Sequence, residues 1–210
     1  HLFEHLMFEG SIHIPHYDLY LQKAGGENNA FTSNDLTNYY ITLPAVNIET
    51  AFWLESDRML GLDFSEEKLE IQKSVVVEEF KQSYLNQPYG DVWMLLRELT
   101  YKNHPYRWAT IGKDIEHIKG ASIQDVKNFF ARFYQPGNAI LTVAGNVDPD
   151  SVFSMAEKWF GEIPGSAPLV RMIPQEPVQE MARRQNVVRD VPADQIMIAF
   201  HASARNQDGF

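Results

Sequence analysis

Two imidazoles one helical turn apart can each give a nitrogen to the same cation, and a carboxylate between them can reach water held on that cation. Residues 1–9, HLFEHLMFE, carry this arrangement in His1, Glu4 and His5. The chain has no cysteine, so any metal here must be held by His, Asp or Glu. A hydrolytic metal site normally takes a third protein ligand, often a carboxylate, and leaves a fourth position for water. Glu78 and Glu79 are the candidates. Leu69, Gln72, Val76, Glu79 and Phe80 share one helical stripe, whereas Glu78 continues Ile71 and Val75. Both stripes are partly apolar, so periodicity alone does not choose between them. The plain alternative is a pair of surface histidines and two solvated glutamates on a charged helix.

These side chains need elements to position them. The apolar spacing predicts an opening helix over 1–9 that stops at Gly10, with His1, Glu4, His5 and Phe8 on one face. A second helix is expected from Pro15 to the Ala24-Gly25-Gly26 break. NAFTSNDLTNYYITLP, from Asn29 to Pro44, is rich in Thr, Tyr, Phe and Ile around a Ser33-Asn34-Asp35 turn and reads as a hairpin. Helical patterns return over 48–60 and 65–84, the latter capped by Ser65 with Glu66 and Glu67 in its first turn, and again over 91–101. Ser122 and Asp125 form a capping signal for a helix reaching Tyr134, and Asp148-Pro149 opens another whose inner face is Val152, Phe153, Met155, Ala156, Trp159 and Phe160. AILTVAG (139–145) reads as a buried strand, and NVVRDV and QIMIAFHAS as a later pair. Pro164, Pro168, Pro174 and Pro177 mark a connecting segment.

Composition narrows the classes of partner. The 210 residues are 44% hydrophobic and 22% charged, close to ordinary globular domains. The net charge of -10 has the wrong sign for a surface that neutralises phosphates, which excludes nucleic acid as the expected partner. No run of about 18 apolar residues exists to span a membrane. Residues 1–105 hold 16 acidic and 7 basic residues, which favours basic or neutral peptides over acidic ones, an effect that salt should weaken. His13 and His16 flank Pro15 in a loop near the candidate site, and His104, His117 and His201 read as structural. Tyr39, Tyr40, Trp93 and Phe129 to Phe133 read as core or cleft lining.

Five runs, in order, carry a more specific signal: HLFEHLMFEGS, GGENNAFTSNDLTNYY, QKSVVVEEF, the block HPY followed by IG and I, and NFFARFYQPGNAILTVAGNVD. Together they resemble the pitrilysin family of zinc peptidases, which includes insulinase and mitochondrial processing peptidase and carries the inverted H-x-x-E-H order. The resemblance implies an α+β fold, with a mixed, largely antiparallel sheet and helices packed on it. It implies one Zn2+ on His1, His5 and Glu79, with Glu4 as general base. His5 and Glu79 are 74 residues apart, a separation similar to the family's. It also implies that Asn29 and Ala30 begin an edge strand to which a peptide substrate adds by backbone hydrogen bonds. These enzymes commonly carry a Glu seven residues before the third ligand. Here that position, behind a ligand, is Gln72, which can accept a hydrogen bond without bringing charge.

The expected activity is therefore zinc-dependent endopeptidase action on peptides or unfolded polypeptides. A non-catalytic, peptide-binding subunit of such a complex is the alternative, and the intact motif counts against it. A structural zinc site is disfavoured because it would be closed by four ligands. The catalytic domain is expected over 1–178, incomplete at its N-terminus because strands normally precede the motif helix. Residues 179–210 are expected to start a second, homologous domain. A second half, in the same chain or in a partner subunit, is expected to close the chamber, and the residues alone should be nearly inactive. Without metal, the three ligand side chains should still converge.

Overall fold

The computed structural model describes residues 1–209. Helix α1 (Leu2–Leu6) buries Phe3 and Leu6, and Met7 continues the same dry face beyond its end. The chain then turns at Gly10, whose φ is +112° and where an added Cβ would lie 2.8 Å from the carbonyl oxygen of Pro15. Glycine is required at that position on both counts. Helix α2 (Tyr17–Lys23) leads into strand β1 (Glu27–Thr32), which pairs antiparallel with β2 (Thr37–Thr42). Helix α3 (Ile48–Leu60) and helix α4 (Glu66–Phe80) follow. The Ser65 side chain caps α4 by accepting from the Lys68 amide, which satisfies one of the free donors of its first turn. A single π-helical turn, Lys81–Leu85, extends α4.

Helices α5 (Val92–Thr100), α6 (Ile115–Lys119), α7 (Ile123–Phe133) and α8 (Pro149–Phe160) complete the order. A reciprocal capping box between Ser122 and Asp125 opens α7, and the Asp148 side chain caps α8 through the Ser151 amide. Helix α6, absent from the sequence reading, is opened by the Asp114 side chain, which accepts from the Glu116 amide, and closes at Gly120.

Three buried clusters hold these elements. Phe3, Leu6 and Met7 pack with Leu62, Leu69 and Val126, joining α1 to α4 and α7. Val76, Val77 and Phe80 of α4 pack with Ala109, Ile111 and Ile118. Ile14, Tyr17, Leu21 and Leu54 join α2 to α3. Between the first and third lies the buried Arg58, whose guanidinium carbon is 4.6 Å from the Tyr39 ring centre, 4.9 Å from Tyr17 and 5.5 Å from Phe8. Burial works against its charge, but the Glu55 carboxylate at 2.6 Å and the neighbouring Tyr17 raise its pKa above the ordinary value. The ring faces compensate the cation further, so one charge ties α3 to β2, α2 and the turn after α1.

The α+β organisation is as expected, but the sheet is a two-stranded hairpin. Residues 139–145 form no strand, with a bend at Gly145, and Ile140 is 93% exposed. The stretches NVVRDV and QIMIAFHAS are likewise unpaired, with Val188 91% exposed. β-branched, apolar sequence specifies extended backbone, but a strand also needs a neighbour, and the described residues bring none alongside. Phe153, expected on the inner face of α8, is 74% exposed, as are, to lesser degrees, Tyr40, Trp93 and Phe129. The segment after α8 is instead held by polar contacts. Glu176 accepts from the amides of Lys102, Asn103 and His104, and although desolvation raises its pKa these donors bring it down to about 2. No helix among the described residues is long and apolar enough to cross a membrane.

The loop from Ser11 to Pro15 is anchored by buried Asp57, which accepts from Ser11 Oγ at 2.5 Å and from the His13 amide at 3.1 Å, and contacts His13 Nδ1 at 2.6 Å. His13 is thus committed to α3. Burial raises the Asp57 pKa, but the Ser11 and His13 bonds outweigh it and hold the carboxyl below its ordinary value. A depressed folded-state value stabilises the protein above the unfolded value of ~3.9, and this stabilisation is lost as pH falls through the folded one. Urea melts between about pH 5 and about pH 2 should show a steeper loss for wild type than for Asp57→Asn. At neutral pH the variant should be less stable by roughly 1–3 kcal/mol. Parallel curves would show that these bonds contribute nothing.

Candidate metal centre

Helix α1 lies against α4 through the dry contact of Phe3, Leu6 and Met7 with Leu69. The residues beside that seam are Glu4 and His5 of α1, with His1 at its N-cap, and Gln72 and Glu79 of α4. All five are half-buried, while Ile71 and Val75, on the stripe of Glu78, are 49% and 45% exposed. Burial therefore selects between the two glutamates. Glu78 pairs in solvent with Lys81 at 2.5 Å.

The Glu79 carboxylate spans both imidazoles, with Oε1 3.4 Å from His1 Nε2 and Oε2 3.5 Å from His5 Nε2. Those separations exceed an N–H···O hydrogen bond, which runs to ~3.2 Å. Each, to its own carboxylate oxygen, is close to the ~3.4 Å between ligands of a tetrahedral zinc with bonds of ~2.1 Å. One donor atom from each of the three residues falls within 4.8 Å of the others, and no second group of this kind occurs among the described residues. Two neutral nitrogens and one carboxylate oxygen form a borderline-soft set that fits Zn2+.

The other ring nitrogens differ. His5 Nδ1 lies 3.1 Å from Gln72 Oε1, and Gln72 Nε2 donates to the Glu9 carboxylate. His1 Nδ1 is buried without a hydrogen-bond partner. Gln72 is thus the side chain that sets the orientation of a candidate ligand from behind.

Glu4 and Glu79 both line a cavity of about 280 Å³ whose wall includes His1, Ala30, Thr32 and Tyr84. Thr32 Oγ1 donates to Glu4 Oε2, which ties the carboxylate to the end of β1. Of the residues expected on the edge strand, Ala30 lines the cavity, whereas Asn29 is solvent-exposed beside it. The Asn29 side-chain carbonyl accepts from the Ala30 amide at 2.8 Å. The hairpin is braced from behind by the Tyr39 and Tyr134 hydroxyls at 2.6 Å and at its tip by Tyr106 on Asp35. Thr32 and Glu9 were not legible as site residues in the sequence. The i+4 spacing of Glu9 from His5 was the available signal for one, and the period-2 facing of Thr32 with Ala30 for the other.

The model of the insulinase family, peptidase family M16, matches residues 1–114, more than half of the chain. The chain belongs to the insulinase family. Residues 120–209 match the model described as the peptidase M16 inactive domain. The chain is 31% identical over 194 residues to the zinc protease PqqE of Helicobacter pylori, covering 90% of this chain and 44% of that protein. It is 27% identical over 205 residues to the β subunit of the mitochondrial-processing peptidase of Saccharomyces cerevisiae, covering 95% of this chain and 44% of that subunit. The crystal structure of a protease from Helicobacter pylori superposes with a TM-score of 0.75 at 31% identity, covering 84% of this chain and 44% of that one. The chain thus spans less than half the length of these insulinase-family relatives.

The register of the stripe generates a direct test. Glu79→Gln should abolish zinc retention after gel filtration, and Glu78→Gln should retain about one equivalent by metal analysis. Selective loss in Glu78→Gln would reverse the assignment.

Proposed function

We propose that the chain carries the catalytic site of a zinc-dependent endopeptidase, with His1, His5 and Glu79 as ligands and Glu4 as general base. The observation that carries this reading is the convergence of those three donor sets beside a cavity that Glu4 also lines. The zinc, when bound, supplies a Lewis acid that polarises a carbonyl and acidifies water. Glu4 takes the proton of the attacking water as its oxygen bonds to the scissile carbon, then delivers that proton to the amine nitrogen as the C–N bond breaks. Thr32 keeps the carboxylate turned to the cavity during both transfers.

The substrate in this reading is an extended peptide added to the edge of β1. Its carbonyl would take the Ala30 amide in place of the Asn29 side chain, so binding exchanges one hydrogen bond for another and adds only the remaining contacts of the strand. A second half-domain, in the same polypeptide or a partner subunit, closes the chamber and excludes water. A second reading, a peptide-binding half without catalysis, is favoured by the match of residues 120–209 to an inactive-domain description.

One substitution separates them. With the second half supplied, Glu4→Gln should keep zinc and lower hydrolysis of a fluorogenic peptide by about 10²–10⁴-fold. No hydrolysis above background by wild type would leave only the peptide-binding reading, and equal measurable rates in both would remove Glu4 as the base.

A further inference from the structure

A histidine that binds metal through Nε2 must carry its proton on Nδ1. A carboxylate behind Nδ1 enforces this simply, because an ionised carboxylate only accepts. Gln72 does not have that property. Its amide ends in an acceptor on one side and a donor on the other, and the two ends are nearly the same shape. With the NH2 end toward His5, Nδ1 would become the acceptor and the proton would move to Nε2. Nε2 is the nitrogen that lies 3.5 Å from Glu79, and a protonated Nε2 has no lone pair to give.

Glu9 resolves this ambiguity. It follows α1 one turn after His5, is half-buried, and its Oε1 receives the Gln72 Nε2–H. An ionised carboxylate there cannot donate, so the amide is held with its NH2 toward Glu9 and its carbonyl toward His5 Nδ1, at 3.1 Å. We propose that Glu9 is a positioning residue for the candidate metal centre, fixing the Gln72 amide and through it the His5 tautomer. This inference rests on the zinc reading above for its purpose but not for its geometry.

The test uses two readouts that answer separately. Imidazole ¹⁵N–¹H NMR of the metal-free protein, with the ring neutral, reports the tautomer, and competition with a chelator reports zinc affinity. Wild type should show His5 protonated on Nδ1. Glu9→Lys places a donor where the amide must donate, which should turn Gln72 and move the proton toward Nε2, weakening zinc by about 10–100-fold. Adding Gln72→Glu to Glu9→Lys should restore both readouts, because a carboxylate behind Nδ1 needs no helper. If Glu9→Lys does not fold, Glu9→Leu removes the acceptor and should give a mixture of tautomers, again corrected by Gln72→Glu. An unchanged tautomer in these Glu9 variants, or failure of Gln72→Glu to restore it, would overturn the proposal. A tautomer shift in a protein that binds no zinc even as wild type would uphold the relay and remove the zinc reading instead.

Discussion

The site depends on the dry contact between α1 and α4. Phe3, Leu6 and Met7 on one side and Leu69 on the other exclude water along the seam. Burying side chains of this kind stabilises by ~1.5–3 kcal/mol each. The same contact fixes the distance between the helices. Because His1, Glu4 and His5 occupy the sector of α1 next to that seam, and Gln72 and Glu79 the matching sector of α4, packing places the polar atoms without further adjustment. Beyond Leu69, Val76, Val77 and Phe80 of α4 pack onto Ala109, Ile111 and Ile118, which anchors the helix on either side of Glu79. A void introduced at Leu69 would therefore act on the donors as well as on stability.

Orientation is then set by a second layer of hydrogen bonds. Thr32 holds Glu4, and Gln72 holds His5 with Glu9 behind it. The strand that supplies Thr32 is itself fixed by the Arg58 cage and the Tyr39–Tyr134 hydroxyl pair. Two arrangements far apart in sequence thus meet at the cavity, one delivering imidazoles and one delivering the edge of a hairpin. His1 has no such support at Nδ1, which makes the two imidazoles unequal although the motif treats them alike.

The local order of the chain was largely legible. Helices α3, α4 and α7 follow their apolar periods and their Ser65 and Ser122 caps, and the hairpin follows its turn residues. The H-x-x-E-H spacing sufficed to bring His1, Glu4 and His5 to one side of the first helical turn, although the helix expected over 1–9 runs only from Leu2 to Leu6 with His1 as its N-cap. Glu79 over Glu78 was not decided by periodicity, since both stripes are partly apolar, and it took the burial of one helix face to separate them. The unpaired stretches 139–145 and 186–203 show where sequence reading stops. Alternating apolar residues set backbone shape, but pairing is a relation between two segments and cannot be read from one. The role of Glu9 was hidden for the same reason, as it exists only through Gln72, 63 residues away.

The central claim is that His1, His5 and Glu79 share one zinc and leave room for water. X-ray absorption at the zinc edge of the metal-loaded protein addresses it without relying on turnover. The account predicts a first shell of about four nitrogen and oxygen atoms at ~2.0–2.1 Å with the outer-shell scattering of two imidazoles. A shell without imidazole scattering, or one containing a third histidine, would contradict it.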